Sequence, residues 1–242
     1  SFEQKVRTRI YDYYTDEQIS NKVKKLPVPN SLTLGSFSAA FVYDNSITGA
    51  TSPIEGQRSR VEISPTVGSI SMYSVLADYR HYFLPIRPVT LAFRMMQYGR
   101  YGGGAEDSRI NPLYIGYQDY VRGYNSNSLN YNEYSVFKQL IGSKMAVSNF
   151  EVRFPLLGIF KLGKGYYGYL PLETGGFFDS GVTWSNGEKP KFLGGNREIM
   201  RSYGLLARFN LFGYAVLELD YVKPIDRPKQ GWMWQFNITP GF

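Results

Sequence analysis

The sequence predicts an all-β protein, an antiparallel transmembrane β-barrel, and three observations carry that expectation. Apolar residues recur at every second position along nearly the whole chain, while the 3.6-residue period of a helix is scarce. The alternating runs last about 10–13 residues, beyond the five or six usual in soluble sheets and matched to the 9–11 that a tilted strand needs to cross a bilayer. Composition agrees: 17% of the 242 residues are aromatic, and 21 Tyr stand beside 25 Gly and 13 Pro. That mixture favours strands broken by turns. A soluble sandwich or propeller also alternates. Against it stand the strand lengths and the aromatics gathered at strand ends, as in Tyr82–Phe83 and Trp232–Trp234, where membrane–water interfaces favour them.

Ten strands are expected, over 2–13, 32–43, 57–67, 70–82, 88–100, 144–155, 171–184, 200–211, 214–223 and 231–242. The first is followed by a polar external loop through residue 31. In the third, Ser59, Val61, Ile63 and Pro65 oppose Arg58, Arg60, Glu62 and Ser64. In the fifth, Val89, Leu91, Phe93 and Met95 oppose Thr90, Ala92, Arg94 and Met96. The eighth alternates from Tyr203 to Leu211 with Leu206 as the exception, and only Phe212 and Gly213 part it from the ninth, so a tight hairpin is expected. The last strand is clearest: Trp232, Trp234, Phe236, Ile238, Pro240 and Phe242 on one face, mostly polar residues on the other. Long connections at 14–31, 101–143 and 185–199 tend to alternate with shorter ones at 44–56, 83–87 and 212–213; the 156–170 connection and the 68–69 turn depart from that tendency.

Strand charges fall mainly on one face: Arg58, Arg60, Glu62, Asp78, Arg80, Arg94, Glu151, Arg153, Asp179, Arg208, Glu218 and Asp220. In a membrane barrel that face is the lumen.

Several classes are excluded. With no cysteine there is no disulfide scaffold, thiol nucleophile or Cys-ligated metal, and one histidine, His81, makes neither a His-rich metal site nor a good triad. The longest apolar stretches, such as Ala39–Tyr43, are far shorter than the roughly 20 residues of a membrane helix. The net charge of +7 is dispersed, apart from the polar run Lys22–Lys25, so nucleic acid is not an expected partner. Gly102–Gly104 lacks the strand–loop–helix setting and the Lys of a phosphate cradle. Glu106, Asp107 and Asp119 fit no calcium-loop spacing, and Glu218 with Asp220, set beside Arg208, reads as a wall network rather than a hydrolase dyad. No catalytic residue, cofactor or metal site is expected, and His81 reads as interfacial. The chain opens on Ser1 without a signal segment, which reads as a mature form or a fragment.

Two stretches carry a family resemblance. Gly231–Phe242, an aromatic-alternating strand ending on Phe, resembles the C-terminal targeting strand of outer-membrane barrels, with Trp232, Trp234, Phe236, Ile238 and Phe242 as its marks. Val121-Arg122-Gly123-Tyr124, inside the 101–143 connection, resembles the VRG-aromatic motif of the BamA-like superfamily of outer-membrane insertases and protein transporters, and the overall wording of the strands resembles its bacterial surface antigen type. The strands Asn149–Pro155 and Phe177–Trp184 match the two that follow that loop in the family. The resemblance implies that the 101–143 loop folds into the lumen, with Arg122, Gly123 and Tyr124 at its tip and Glu151 and Asp179 pairing with Arg122. Alternation puts Glu151 on the polar face, whereas Asp179 shares its face with Phe177 and Gly181. A guanidinium's planar fork suits two carboxylates, and a buried one must be paired.

Barrels of that family close with sixteen strands, so a ten-strand chain is expected to be the C-terminal part of a larger barrel. The implied setting is the outer membrane of a Gram-negative-type bacterium. The implied partners are outer-membrane lipid, the barrel-assembly machinery, client polypeptides, and the rest of the barrel or another chain pairing at residues 2–13. Three functions stay open: assembly or translocation of polypeptides, a surface antigen or passive pore, or the membrane anchor of an enzyme domain outside this chain.

Overall fold

A computed structural model describes residues 5–11, 18–25 and 32–240. Phe242 and both ends of the strand expected over 2–13 lie outside the described residues. The chain divides into two units, Ser1–Leu34 and Gly35–Phe242.

In the first unit β1 (Lys5–Tyr11) pairs antiparallel with β2 (Gln18–Lys25), Lys5 opposite Lys25. The β2 stretch was expected to be loop. Only Ile19 and Val23 mark its period of two among Lys, Asn, Gln and Ser, too few to signal a strand. Residues 5–11 therefore have a partner within the chain, and the pair forms a sheet of its own.

The second unit is built on one large antiparallel sheet. Along its edge run β3 (Leu34–Ser36), β4 (Ala39–Asp44) and β5 (Ile47–Thr48). Then come β6 (Pro53–Gly68), β7 (Met72–Ile86) and β8 (Val89–Tyr101). The long connection holds β9 (Leu113–Tyr114), helix α1 (Tyr134–Leu140) and β10 (Ile141–Gly142). After it follow β11 (Lys144–Pro155), the short helix α2 (Leu156–Ile159), β12 (Leu172–Trp184), β13 (Met200–Leu211), β14 (Ala215–Pro224) and β15 (Met233–Pro240). The order is β15-β14-β13-β12-β11-β8-β7-β6, with β3, β4 and β5 along the far edge of β6. From β6 onward each strand pairs with the next long one, the up-and-down path of a barrel wall; among the described residues it does not close on itself.

The expected strand over 32–43 is two pieces. Phe37 N–H donates to the Pro65 carbonyl, but Pro65 has no N–H to return, and the ladder lapses before resuming at Ala39 opposite Ile63. The β13–β14 turn is one residue longer than expected: Phe212, Gly213 and Tyr214 lie between the paired Leu211 and Ala215, and Phe212 and Gly213 adopt positive φ, 53° and 84°.

Register carries the polar face across the wall. Arg58 stands opposite Arg80, Arg80 opposite Arg94, Arg94 opposite Asn149, Asn149 opposite Asp179, and Asp179 opposite Ser202. Six residues along the same strands, Glu173 faces Arg208 and Arg208 faces Glu218. The opposite face is apolar and bare: Trp234 is 65% exposed, Phe236 58% and Ile238 57%, whereas Gln235 between them is 8% exposed. Trp232, Tyr221 and Trp234 stack on that side. His81 joins it, stacked on Phe83 at 3.9 Å and bonded to the Tyr79 hydroxyl.

Leu206, the break in the β13 alternation, is a feature of the inner face. It is buried with Phe177 and Val222 in a small apolar cluster on the charged side of the wall.

Candidate functional site

The site begins with the loop between β8 and β11, which folds onto the inner face. Its entry and exit pair as β9 and β10, closing the neck. Its apolar residues Leu113, Ile115, Val121, Tyr124 and Leu140 bury against Met96, Met145, Val147 and Met200 of the wall. Those wall residues interrupt the polar face where the loop lands. Apolar burial at about 25 cal/mol per Å² thus helps draw the loop inward.

At the tip sits Arg122, 4% exposed. Its Nε and Nη2 donate to the two oxygens of Asp179 at 2.7 and 2.9 Å, a planar bidentate pair, and its backbone N–H adds a third bond at 3.2 Å. Nη2 also reaches Glu151 at 2.9 Å and Nη1 reaches Glu218 at 3.4 Å, with Asp220 at 3.6 Å. Phe177 explains why Asp179 shares its face with an aromatic: its ring lies 3.5 Å from the guanidinium carbon, a cation–π contact. Burial opposes the charge on Arg122, but Asp179, with Glu151 and Asp220, more than offsets it and raises the pKa above the ordinary arginine value.

Around Arg122 the wall forms a network. Arg208 donates to both Glu151 oxygens at 2.9 and 3.0 Å and to Glu218 at 2.8 Å. Arg122, Arg153 and Arg208 thus stand among Glu151, Glu173, Asp179, Glu218 and Asp220, and those carboxylates outnumber the guanidiniums. Other loop atoms are stitched to the same wall. Gln118 donates to Asp220 at 2.9 Å, Asn149 donates to the Tyr120 carbonyl at 2.7 Å, and Arg94 donates to the Asp119 carbonyl at 2.7 Å. A cavity of about 530 Å³ lies beside the loop, walled by Arg58, Arg80, Arg94, Arg153 and Arg208.

Gly123 and Tyr124 have their own roles. Gly123 takes a positive φ of 89°, and a Cβ there would meet Val222 Cγ1 at 3.0 Å and Pro224 Cβ at 3.2 Å. Tyr124 is fully buried; its hydroxyl donates to the Arg201 carbonyl at 2.7 Å and accepts from Asp226 N–H at 3.1 Å. Burial pushes its phenol pKa up.

All five expected anchor residues, Arg122, Gly123, Tyr124, Glu151 and Asp179, therefore meet at one place. Glu218, Asp220 and Arg208, read from the sequence as a wall network, join them. Sequence reasoning missed the part of Phe177, whose ring lies against the guanidinium. Gln235, on the polar side of β15, accepts the Gly123 N–H at 2.9 Å. Glu173 and Arg153 hold the turn before β6: Thr51 and Ser52 donate to Glu173 at 2.8 to 2.9 Å, and Arg153 donates to the Pro53 carbonyl at 2.6 Å. The sequence marked that stretch only as the 44–56 connection. Arg227, between β14 and β15, gave no signal at all.

The discounted acids are occupied locally. Asp107 is chelated by Arg109, which draws its pKa down to about 2, and Glu106 accepts from Ser143 and from Asn186 N–H.

A long up-and-down antiparallel sheet, bare and apolar on one face and charged on the other, is the wall of an outer-membrane-type barrel. Residues 4–242 match the Omp85 superfamily domain, and the chain belongs to that family. Its fold is similar to that of BamA from Haemophilus ducreyi, in a crystal structure lacking POTRA domains 1–3, with a TM-score of 0.63 at 16% identity. The likeness covers 96% of this chain and 45% of that one, so the chain spans less than half the length of that structure. No curated protein matches the chain. The family expected from Val121–Tyr124 and from the strands Asn149–Pro155 and Phe177–Trp184 is the family found.

Proposed function

We propose that this chain forms part of an outer-membrane barrel that assembles outer-membrane proteins or translocates polypeptides, with the 101–143 loop lodged in the lumen as its internal brace. The observation that carries the reading is the bidentate Arg122–Asp179 pair, buried and reinforced by Glu151. A loop lying free above a passive pore has no need of a fully desolvated guanidinium among four carboxylates. Family membership and the bare aromatic-aliphatic face from Trp232 to Ile238 support the membrane setting, with lipid against that face and the barrel-assembly machinery as the agent of insertion. The clients are polypeptides.

The test replaces Arg122 in the full-length protein of the native host. Arg122→Ala is expected to leave the protein in the outer membrane while its polypeptide clients accumulate unassembled or untranslocated. Arg122→Lys is expected to restore part of the activity, because an ammonium cannot span Asp179 as a fork does. Normal client handling in Arg122→Ala, with only pore conductance altered, would favour a passive pore or antigen instead. Loss confined to an attached soluble domain's reaction would favour an enzyme anchor.

A further inference from the structure

Arg227 lies in the connection between β14 and β15, where a charged residue ordinarily faces water, yet its side chain is fully buried. Its Nε and Nη2 bind the two oxygens of Glu133 at 2.8 Å each. Nη2 also donates to the Ser128 carbonyl at 2.7 Å. Nη1 donates to the Gly123 carbonyl at 2.7 Å and to the Ser128 hydroxyl at 3.1 Å. Every nitrogen of the guanidinium is thus engaged, and its acceptors on the long loop span residues 123 to 133.

The Gly123 carbonyl taken by Arg227 belongs to the residue whose N–H is taken by Gln235 of β15. The next residue, Tyr124, bonds Asp226 N–H. Three residues of the C-terminal hairpin and its turn therefore grip two consecutive loop residues. The grip differs from that of Arg122, whose carboxylate partners all lie on β11, β12 and β14. It also falls on an edge strand: among the described residues β15 pairs with β14 alone.

We propose that Arg227 is a positioning residue that fastens the outer half of the long loop to the C-terminal hairpin, so that the loop and edge strand β15 move as one body. Arg122 holds the loop's inner end to the wall; Arg227, with Glu133 and Gln235, holds its outer half to the edge. The coupling runs both ways: whatever displaces β15 loosens the loop over 123–133, and whatever frees that stretch loosens β15. This goes beyond the proposed function and holds whichever cargo the barrel handles.

The chain has no cysteine, so paired spin labels can be placed in it cleanly. Lys138→Cys on α1 and Lys229→Cys beside Arg227 are both exposed. The full-length protein, reconstituted in vesicles of phosphatidylethanolamine and phosphatidylglycerol, is measured by pulsed electron resonance for the 138–229 distance. Hydrogen exchange reports the β15 amides bonded to β14. The parent should give one narrow distance. Glu133→Gln and Arg227→Lys, both close in size to the native residues, should broaden it and speed exchange over 233–238, Arg227→Ala more so. Arg122→Ala should instead free 117–121 and leave the 138–229 distance narrow, so failure of the proposed function and failure of this coupling read differently. The proposal is overturned if Glu133→Gln and Arg227→Lys both keep the parent distance, or if the distance broadens while β15 exchange is unchanged. An Arg227→Ala protein that does not fold leaves the two near-isosteric variants to decide.

Discussion

Removing the Arg122 side chain leaves Asp179, wholly buried, with two of its four hydrogen bonds: the backbone N–H of position 122 and the Asn149 amide. Glu151 keeps Arg208 but loses its bond from Arg122, and Glu218 loses a long one. Arg153 and Arg208 alone would then face all five carboxylates of the network. Truncating one member of a buried pair costs about 3–5 kcal/mol, mostly the penalty of the charge left behind. Arg122→Ala should destabilise by that amount. Asp179→Asn should cost somewhat less, since it discards two charge-assisted bonds while relieving the carboxylate excess. The double variant discriminates. If the penalty is the stranded Asp179 charge, neutralising it in the Arg122→Ala background recovers stability, and the two costs fall short of additivity by about 2–3 kcal/mol. Urea unfolding of the full-length barrel in detergent, followed by tryptophan fluorescence, measures each corner of the cycle. Costs that add within about 0.5 kcal/mol would refute the reasoning, since independent sites behave that way.

Three further outcomes follow from the same geometry. Gly123→Ala should cost about 1–3 kcal/mol and open the 114–124 segment to protease, because the new Cβ combines a positive φ with close contact to Val222 and Pro224; an unchanged cleavage pattern would contradict it. Glu133 should lend the loop acid sensitivity. Its hydrogen bond from Arg227 holds its pKa below the ordinary carboxylate value, so the stabilisation is complete above the unfolded pKa of about 4.3 and is lost as pH falls through the lower folded value. Protease protection over 125–140 should therefore persist at neutral pH and disappear in acid, and Glu133→Gln should abolish the dependence. Nitroxides at 234, 236 and 238 should respond to oxygen dissolved in the bilayer, and those at 233, 235 and 237 should not; the reverse pattern would invert the assignment of faces.

How much of this the sequence disclosed follows from which interactions leave a periodic trace. Strand faces did: a wall facing apolar surroundings on one side and charge on the other repeats every two residues, and the long strands fall within a few residues of their expected bounds. Where side chains were too polar to show that period, as in Gln18–Lys25, or where Pro65 broke a ladder from across the sheet, the pattern failed. The Arg122–Glu151–Asp179 meeting was legible because one short motif and two strand signatures each left a mark. Alternation alone left Asp179 ambiguous, and only the Phe177 ring under the guanidinium shows why an aromatic and an acid share its face. Arg227 lay beyond reach for a plainer reason. A residue in an irregular turn has no period, and its partners Gly123, Ser128 and Glu133 lie about a hundred positions upstream in a loop with no period either. Contacts between two aperiodic segments are fixed by how the strands beneath them place the turns. The sequence records them only as a charged residue in a loop, indistinguishable from the solvated Lys229 two positions on. Reading such a pair requires the wall first, because the β14–β15 register sets where Arg227 can reach.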